Sequence, residues 1–176
     1  MLDFIEKIDK EIPTDDAADF GERLLLYSLI RSIKPKIAVE TGTHKGLTAL
    51  YMAQALYDNK EGILYTCDPN EWGARGNIRK FPELEAMIKL SEVKGKDMFI
   101  DGKIDFAFID SEHEKEVVVG EIESFLIQLS EKGIMVFHDC AGDVGYVGVN
   151  AAIKEMKLKT VIIPTFNTMR IYCHKI

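Results

Sequence analysis

One stretch limits the fold more than any other: Lys36-Ile37-Ala38-Val39-Glu40-Thr41-Gly42-Thr43-His44-Lys45-Gly46. An apolar run ends there on an acid, a glycine-containing turn follows, and a helix-patterned segment starts at once. Ile37 to Val39 predicts a strand buried on both faces, because apolar, mostly β-branched residues fill it without polar alternation. Gly42 lets the backbone turn tightly at the strand's carboxyl end, with no Cβ in the way of a ligand. Gly46 lets the next helix begin close to that turn, so that its first N–H groups face the same crevice. Glu40, Gly42, Thr43 and Gly46 are therefore the first candidate cofactor-binding residues, placed where open α/β sheets hold their ligands.

A dinucleotide-binding turn needs G-x-G-x-x-G. From Gly42 onward this chain has His44 and Leu47 where the other two glycines belong, which counts against a nicotinamide-dependent oxidoreductase. What stands is E-x-G-x-x-x-G, through Glu40, Gly42 and Gly46. It resembles the first motif of class I methyltransferases that use S-adenosylmethionine. A plain strand-to-helix turn of another doubly wound domain is the alternative, so the rest of the chain has to decide.

At 176 residues the chain is expected to form one domain with a single sizeable core. Residues 1–34 read as a leader region and residues 35–176 as the α/β core. The net charge of −7 argues against a nucleic-acid partner, which needs basic surface for phosphate contacts. Three scattered cysteines, Cys67, Cys140 and Cys173, give neither a disulfide framework nor a metal knuckle. A reducing cytoplasm is the expected location. No apolar run approaches the roughly 20 residues of a membrane span, so no membrane partner is expected.

Along the leader, Pro13 interrupts any continuous helix, and Asp15 or Asp16 is expected to cap the helix that follows. Phe20, Leu24 and Tyr27 fall on one face of that helix, and Pro35 marks its end. After Gly46, the residues Ala49, Leu50, Ala53 and Leu56 repeat helical spacing. Ile63 to Cys67 predicts a second strand ending at Asp68. An acid ending the second strand of a nucleotide-binding domain can accept both hydroxyls of a ribose, since a carboxylate offers two oxygens to two donors. Residues 69–81 form a loop in which Trp72 and Arg75 are candidates for a lid. Pro82 to Leu90 predicts a short helix, and Val93 a brief strand.

A third informative stretch runs Ile104-Asp105-Phe106-Ala107-Phe108-Ile109-Asp110-Ser111-Glu112-His113. A buried strand again ends on an acid. Val118, Ile122, Phe125, Leu126 and Leu129 keep one apolar face through the next helix, which Gly133 is expected to stop. Ile134 to Phe137 is a fifth strand, ending at His138-Asp139-Cys140. One parallel sheet would thus deliver Asp110, His113, His138 and Asp139 to the edge that carries Gly42 and Asp68. Ionisable groups are costly to gather at the ends of buried strands unless they have a job there.

With those residues in view, FIDSEHEKEVVVGEIESFL…GIMVFHD resembles the small-molecule O-methyltransferases of the class I fold, macrolide-sugar types first and catechol types more distantly. The resemblance covers about residues 37–140. It implies S-adenosylmethionine as cofactor, held by Glu40, Gly42, Thr43, Gly46, Asp68 and Asp110, with Asp97 of Gly95-Lys96-Asp97 against the adenine. It implies His113 as general base beside Asp110, and a divalent metal, Mg²⁺ or Mn²⁺, on Asp110 and Asp139. His138 stands where relatives carry another carboxylate ligand, which makes it the third expected ligand. Cys140 stands where catechol types have asparagine.

The chemistry suits these residue types. Methyl transfer from a sulfonium is an in-line displacement, so the protein mainly positions the nucleophile and the methyl carbon. An alcohol must also lose its proton, a task for histidine or for a metal that lowers the hydroxyl pKa. Gly142, Gly145 and Gly148 are expected to make a mobile loop, followed by a helix through Val149, Ile153 and Met156. Val161 to Ile163 and Met169 to Cys173 then predict two strands joined close to a hairpin. The expected fold is α/β: a doubly wound, Rossmann-like methyltransferase fold with a seven-stranded, mostly parallel sheet and a C-terminal antiparallel hairpin. The expected activity is methyl transfer to a hydroxyl of a small-molecule acceptor, in a monomer or a homo-oligomer. A cofactor-binding protein without turnover is the alternative.

Overall fold

The computed structural model describes residues 2–15, 17–141 and 147–174. Two helices lead in, α1 (Leu2–Glu11) and α2 (Phe20–Ile33), followed by β1 (Ile37–Thr41), α3 (Leu47–Asn59) and β2 (Ile63–Cys67). Two short helices, α4 (Ala74–Ile78) and α5 (Pro82–Glu85), precede β3 (Ile88–Ser91). After a 3₁₀ turn at Gly95–Asp97 come β4 (Ile104–Ile109), α6 (Lys115–Gln128), β5 (Leu129–Phe137), α7 (Val147–Glu155), β6 (Thr160–Ile163) and β7 (Met169–Cys173).

The seven strands form one sheet in the order β3-β2-β1-β4-β5-β7-β6. The pairs from β3 to β5 are parallel, and β7 runs antiparallel to both β5 and β6. This is the expected parallel sheet with a terminal hairpin. The strand order reverses between β1 and β4, so a crevice opens beyond their carboxyl ends. Register then places the site. Thr41 lies beside both Cys67 and Ile109, and Ile109 beside Phe137. The residues that follow, Gly42, Asp68, Asp110 and His138, are therefore carried to one edge.

Period-2 alternation divides the core between the two faces of the sheet. In β4, Phe106 and Phe108 pack with Leu26, Ile30, Met52 and Val136 on the side of α2 and α3. Ala107 and Ile109 pack with Ile122, Phe125 and Ile153 on the side of α6 and α7. A third cluster ties the leader down. Ile5, Ile8 and Ile12, spaced for one face of α1, bury against Leu50 and Tyr51 of α3.

Several local expectations are corrected. The leader holds two helices, with Pro13 between them. Asp19 caps α2, and Asp15 pairs with Lys45 instead; Asp16 lies outside the described residues. The cap is a reciprocal box: the Asp19 carboxylate accepts from Gly21 N–H at 2.8 Å, and Glu22 reaches back to Asp19 N–H at 2.9 Å. The buried face of α2 is Glu22, Arg23, Leu26, Tyr27 and Ile30, while Phe20 is exposed. Residues 88–91 are strand, not the tail of a helix, so Val93 falls past the strand. Gly133 does not end α6. It sits within β5 at a register shift, where a Cβ would come 2.8 Å from the Ile104 carbonyl oxygen. Gly142 and Gly145 lie outside the described residues, and Gly148 is in α7.

Candidate active site

Beyond the carboxyl ends of β1, β2, β4 and β5 lies a cavity of about 460 Å³. The turn after β1 supplies Gly42, Thr43 and Lys45, and the N-terminal end of α3 adds Leu47 and Thr48. Gly42 has φ +85°, and a Cβ there would stand 2.1 Å from the Asp110 carbonyl oxygen. Glycine is thus required twice over, by conformation and by the crossing of two loops.

Asp68 borders this cavity. Its Oδ2 accepts the His44 N–H at 3.0 Å and its Oδ1 accepts the Asn70 N–H at 2.9 Å. The two backbone donors orient the carboxylate, and each oxygen keeps a second lone-pair direction. Trp72 also borders it, half-exposed, its ring edge-on to His44 at 5.3 Å. Arg75 is not part of this wall; it pairs with Glu92 at 3.1 Å.

Glu40 lies beneath the floor, fully buried, accepting from Thr66 Oγ1 at 2.5 Å. Thr66 in turn meets Thr43 Oγ1 at 2.5 Å. Burial raises the Glu40 pKa to about 8, the Thr66 hydrogen bond opposing. Glu121 of α6 is a second buried acid, held by Ser111 at 2.7 Å and Thr41 at 3.3 Å. Burial lifts it to about 7 against those two bonds. Gly46, at φ +85°, starts α3 and packs against Ile78. Asp97 is exposed on its 3₁₀ turn and is not in the cavity wall. Cys140 is buried, its thiol turned toward the His138 carbonyl at 3.5 Å, and burial pushes it up to about 12.

Another part of the wall is a chain of linked carboxylates and imidazoles. His113 Nε2 lies 2.6 Å from Asp139 Oδ2. His138 Nδ1 lies 2.8 Å from Asp110 Oδ1 and 3.3 Å from Asp139 Oδ2. His138 Nε2 lies 2.8 Å from Glu22 Oε2. Asp139 adopts φ +52° at the end of β5, a left-handed conformation that aspartate tolerates better than most residues.

Burial opposes a charge on His138, but the Asp110 charge and the hydrogen bonds His138 donates to Asp110, Asp139 and Glu22 prevail, raising its pKa to about 12. Burial likewise raises Glu22, and the His138 bond and charge with the Asn167 N–H outweigh it, leaving Glu22 at about 2. Asp139 is also held below the usual range, His113 and His138 outweighing its burial. Asp110 goes the other way: its burial exceeds the help from His138.

Glu22 is absent from the sequence expectations. It is fully buried and joins three elements, accepting from His138 and from the Asn167 N–H at 2.9 Å while closing the α2 cap. The expected metal set of Asp110, His138 and Asp139 needs correction at His138, because both of its ring nitrogens face carboxylate oxygens and no lone pair remains for a metal. Asp110, His113 and Asp139 do converge, with one ligand atom from each lying within 4.8 Å of the others. Those two acids and one imidazole fit a divalent cation.

The family model described as a methyltransferase domain matches residues 39–140, from β1 through the turn after β5. The chain belongs to this family. No curated protein matches its sequence. Among solved structures, a methyltransferase of Podospora anserina bound to SAH superposes with a TM-score of 0.76 at 19% identity, covering 98% of this chain and 86% of that one. An O-methyltransferase of Bacillus cereus in complex with SAH gives 0.74 at 14%, covering 98% and 89%. The O-methyltransferase TomG of Streptomyces achromogenes, in complex with SAM, gives 0.70 at 15%, covering 91% and 82%. At these identities the likeness shows the fold, which is the class I methyltransferase fold, covered nearly end to end. No helix among the described residues is long and apolar enough to cross a membrane.

Proposed function

We propose that this methyltransferase domain transfers a methyl group from S-adenosylmethionine to a hydroxyl of a small-molecule acceptor, working as one unit over residues 1–176 in the cytoplasm. The observation that carries the reading is the pairing of an oriented Asp68 with the His113–Asp139 contact across one cavity. When bound, the cofactor supplies a sulfonium methyl group and leaves as a neutral thioether. Asp68 accepts from the ribose hydroxyls with its open lone pairs, while Gly42 and Thr43 let the backbone approach. Asp110 and Asp139 give the wall a negative potential that favours a sulfonium cation.

In the displacement the acceptor oxygen forms its bond to the methyl carbon as the sulfur–carbon bond breaks. The hydroxyl proton passes to His113, and Asp139, 2.6 Å from Nε2, orients the ring and stabilises the imidazolium that forms. Glu40 and Asp97 serve differently from the first expectation: Glu40 stiffens the turn through Thr66, and the adenine is left to Asp68, Pro69 and Asn70. A second reading is favoured by the convergence of Asp110, His113 and Asp139. A divalent cation held there would lower the hydroxyl pKa, and His113 would then be a ligand instead of the base.

Isothermal titration calorimetry tests the cofactor. S-adenosylhomocysteine should bind, and Asp68→Ala should weaken it by about 1.5–3 kcal/mol, the range for hydrogen bonds to a charged group. Tight NAD binding with no response to S-adenosylhomocysteine would sink the reading.

A further inference from the structure

Next to the first cavity lies a second, of about 470 Å³. The two share Ala17, Ala18 and Asn167 as a common wall. The rest of the second cavity comes from Asp9 of α1, the α1–α2 connection, the start of α2 and the turn between β6 and β7. We infer that it holds the acceptor, and that the acceptor is an uncharged hydroxylated ring. This rests on the methyltransferase reading and adds to it where the acceptor sits and what chemistry it has.

The aromatic part of the argument is exposure. Phe20 and Phe166 both border the cavity, with 45% and 84% of their surfaces open. Covering apolar ring surface removes it from water, so two open rings on one recess favour a ligand with an apolar face. Asn167 links this recess to the chemistry, since its N–H is held by Glu22, which also holds His138. A ring seated between Phe20 and Phe166 would present one edge past Ala17 and Ala18 toward His113. Thr14, Asp19 and Asn167 supply polar atoms for its other hydroxyls.

The uncharged part comes from a census of the walls. Arg23 is the one cation of the second cavity among the described residues, and both of its terminal nitrogens are engaged, with only the buried Nε lacking a partner. It is buried, pairs with Asp9 at 3.4 Å, donates to the Ala18 carbonyl, and lies over Tyr51. The remaining ionisable groups there, Asp9 and Asp19, are acids. The N-terminus of α2 is a poor anion site, because the Asp19 carboxylate already caps its first turn and takes up the Gly21 N–H. On the side of the first cavity, Lys45 pairs with Asp15, the His138 cation is enclosed by Glu22, Asp110 and Asp139, and Asp68, Asp110, Glu112 and Asp139 are acids. A carboxylate or phosphate on the acceptor would meet a net excess of negative charge in both walls.

The test uses the full chain saturated with S-adenosylhomocysteine, after calorimetry has established that this ligand binds. Failure at that step would remove the methyltransferase reading itself, whereas the following steps address the acceptor alone. Saturation-transfer NMR then compares catechol with 3,4-dihydroxybenzoate, and methyl glucoside with methyl glucuronide, so that phenol and sugar sources each have a neutral and an anionic member. The neutral member of at least one pair should bind about tenfold more tightly than its anionic partner, by repulsion from the acidic walls. Phe166→Ala, at an exposed turn, should weaken that neutral ring by about tenfold through the lost aromatic contact, with S-adenosylhomocysteine affinity unchanged. Phe20→Ala should act in the same direction. Tighter binding of the anions, no binding of either neutral ring, or indifference to both phenylalanine substitutions would overturn the assignment.

Discussion

Glu22 and His138 stand 2.8 Å apart although 116 positions separate them, one at the start of α2 and the other at the end of β5. The leader is thereby wired into the acidic and imidazole wall of the cavity. His138 passes the restraint on to Asp110 and Asp139, and Asp139 meets His113. His113, the proposed base, is therefore positioned through a helix that the α/β sheet alone would not require. Glu22 also closes its own helix cap, so one carboxylate serves local and long-range order together.

These two roles can be separated. Asp19→Ala removes only the cap and should cost about 1 kcal/mol. Glu22→Ala leaves a buried imidazolium facing no carboxylate on its Nε2 side and should cost about 3–5 kcal/mol. Urea unfolding of both variants measures the difference. Equal losses would mean that the contact with His138 contributes nothing beyond the cap.

Stability should fall as pH rises from 5 to 8. Glu40 and Glu121, pushed up to about 8 and about 7 by burial, keep in the folded chain a proton that an ordinary glutamic acid releases near 4.5. The folded form then binds more protons than the unfolded form across that window, so raising pH favours unfolding. His138 adds to the slope. Its stabilisation is complete below its ordinary value of 6.5 and is lost as pH climbs toward about 12. Glu22 works at the other end, its contribution complete above 4.5 and lost as pH falls toward about 2. Melting temperature should peak near pH 5, and Glu40→Gln should flatten the descent between 5 and 8. A melting temperature that rises over that interval would contradict the assignment.

The sheet and the gathering of most of the cavity's ionisable residues were legible because several of them follow an apolar run. Asp68, Asp110 and His138 each come directly after a strand of buried residues, and a parallel register brings such positions to one edge. Glu22 had no such signal. It reads as a surface acid in an amphipathic helix, and its one local mark, the D-x-x-E spacing from Asp19, accounts for the carboxylate without any tertiary partner. The spacing of Ile5, Ile8 and Ile12 fits one helical face, but the run is short, acidic and cut off at Pro13, so its signal for α1 is weak. Gly133 misled for a physical reason. Glycine commonly ends helices, but here it relieves a close approach to Ile104 inside an irregular strand.

The metal question turns on which atoms of the wall remain available. If a cation sits on Asp110, His113 and Asp139, a chelator should abolish methyl transfer, and Mg²⁺ or Mn²⁺ should restore it. Mn²⁺ should restore it better, since an imidazole ligand suits it more than Mg²⁺. Replacing His138 should then leave Mn²⁺ binding by the folded protein largely intact, because its nitrogens already face carboxylates. Full turnover in chelator would leave the two acids as orienting groups.

His113 decides between the two readings. As the base, it takes the acceptor proton while Asp139 holds the ring at 2.6 Å. His113→Ala should then lower kcat by about 10²–10⁴, the usual loss with a general base, while S-adenosylhomocysteine affinity stays nearly constant. Asp139→Asn should produce a smaller loss of the same kind, since an amide can still orient the ring but cannot stabilise its positive charge. As a ligand, His113 would behave differently. Its removal would lower Mn²⁺ affinity, and added metal would recover part of the lost rate. Measuring kcat for the two variants, each with and without excess Mn²⁺, distinguishes the cases. Wild-type turnover in His113→Ala with normal cofactor binding would remove the residue from the mechanism altogether.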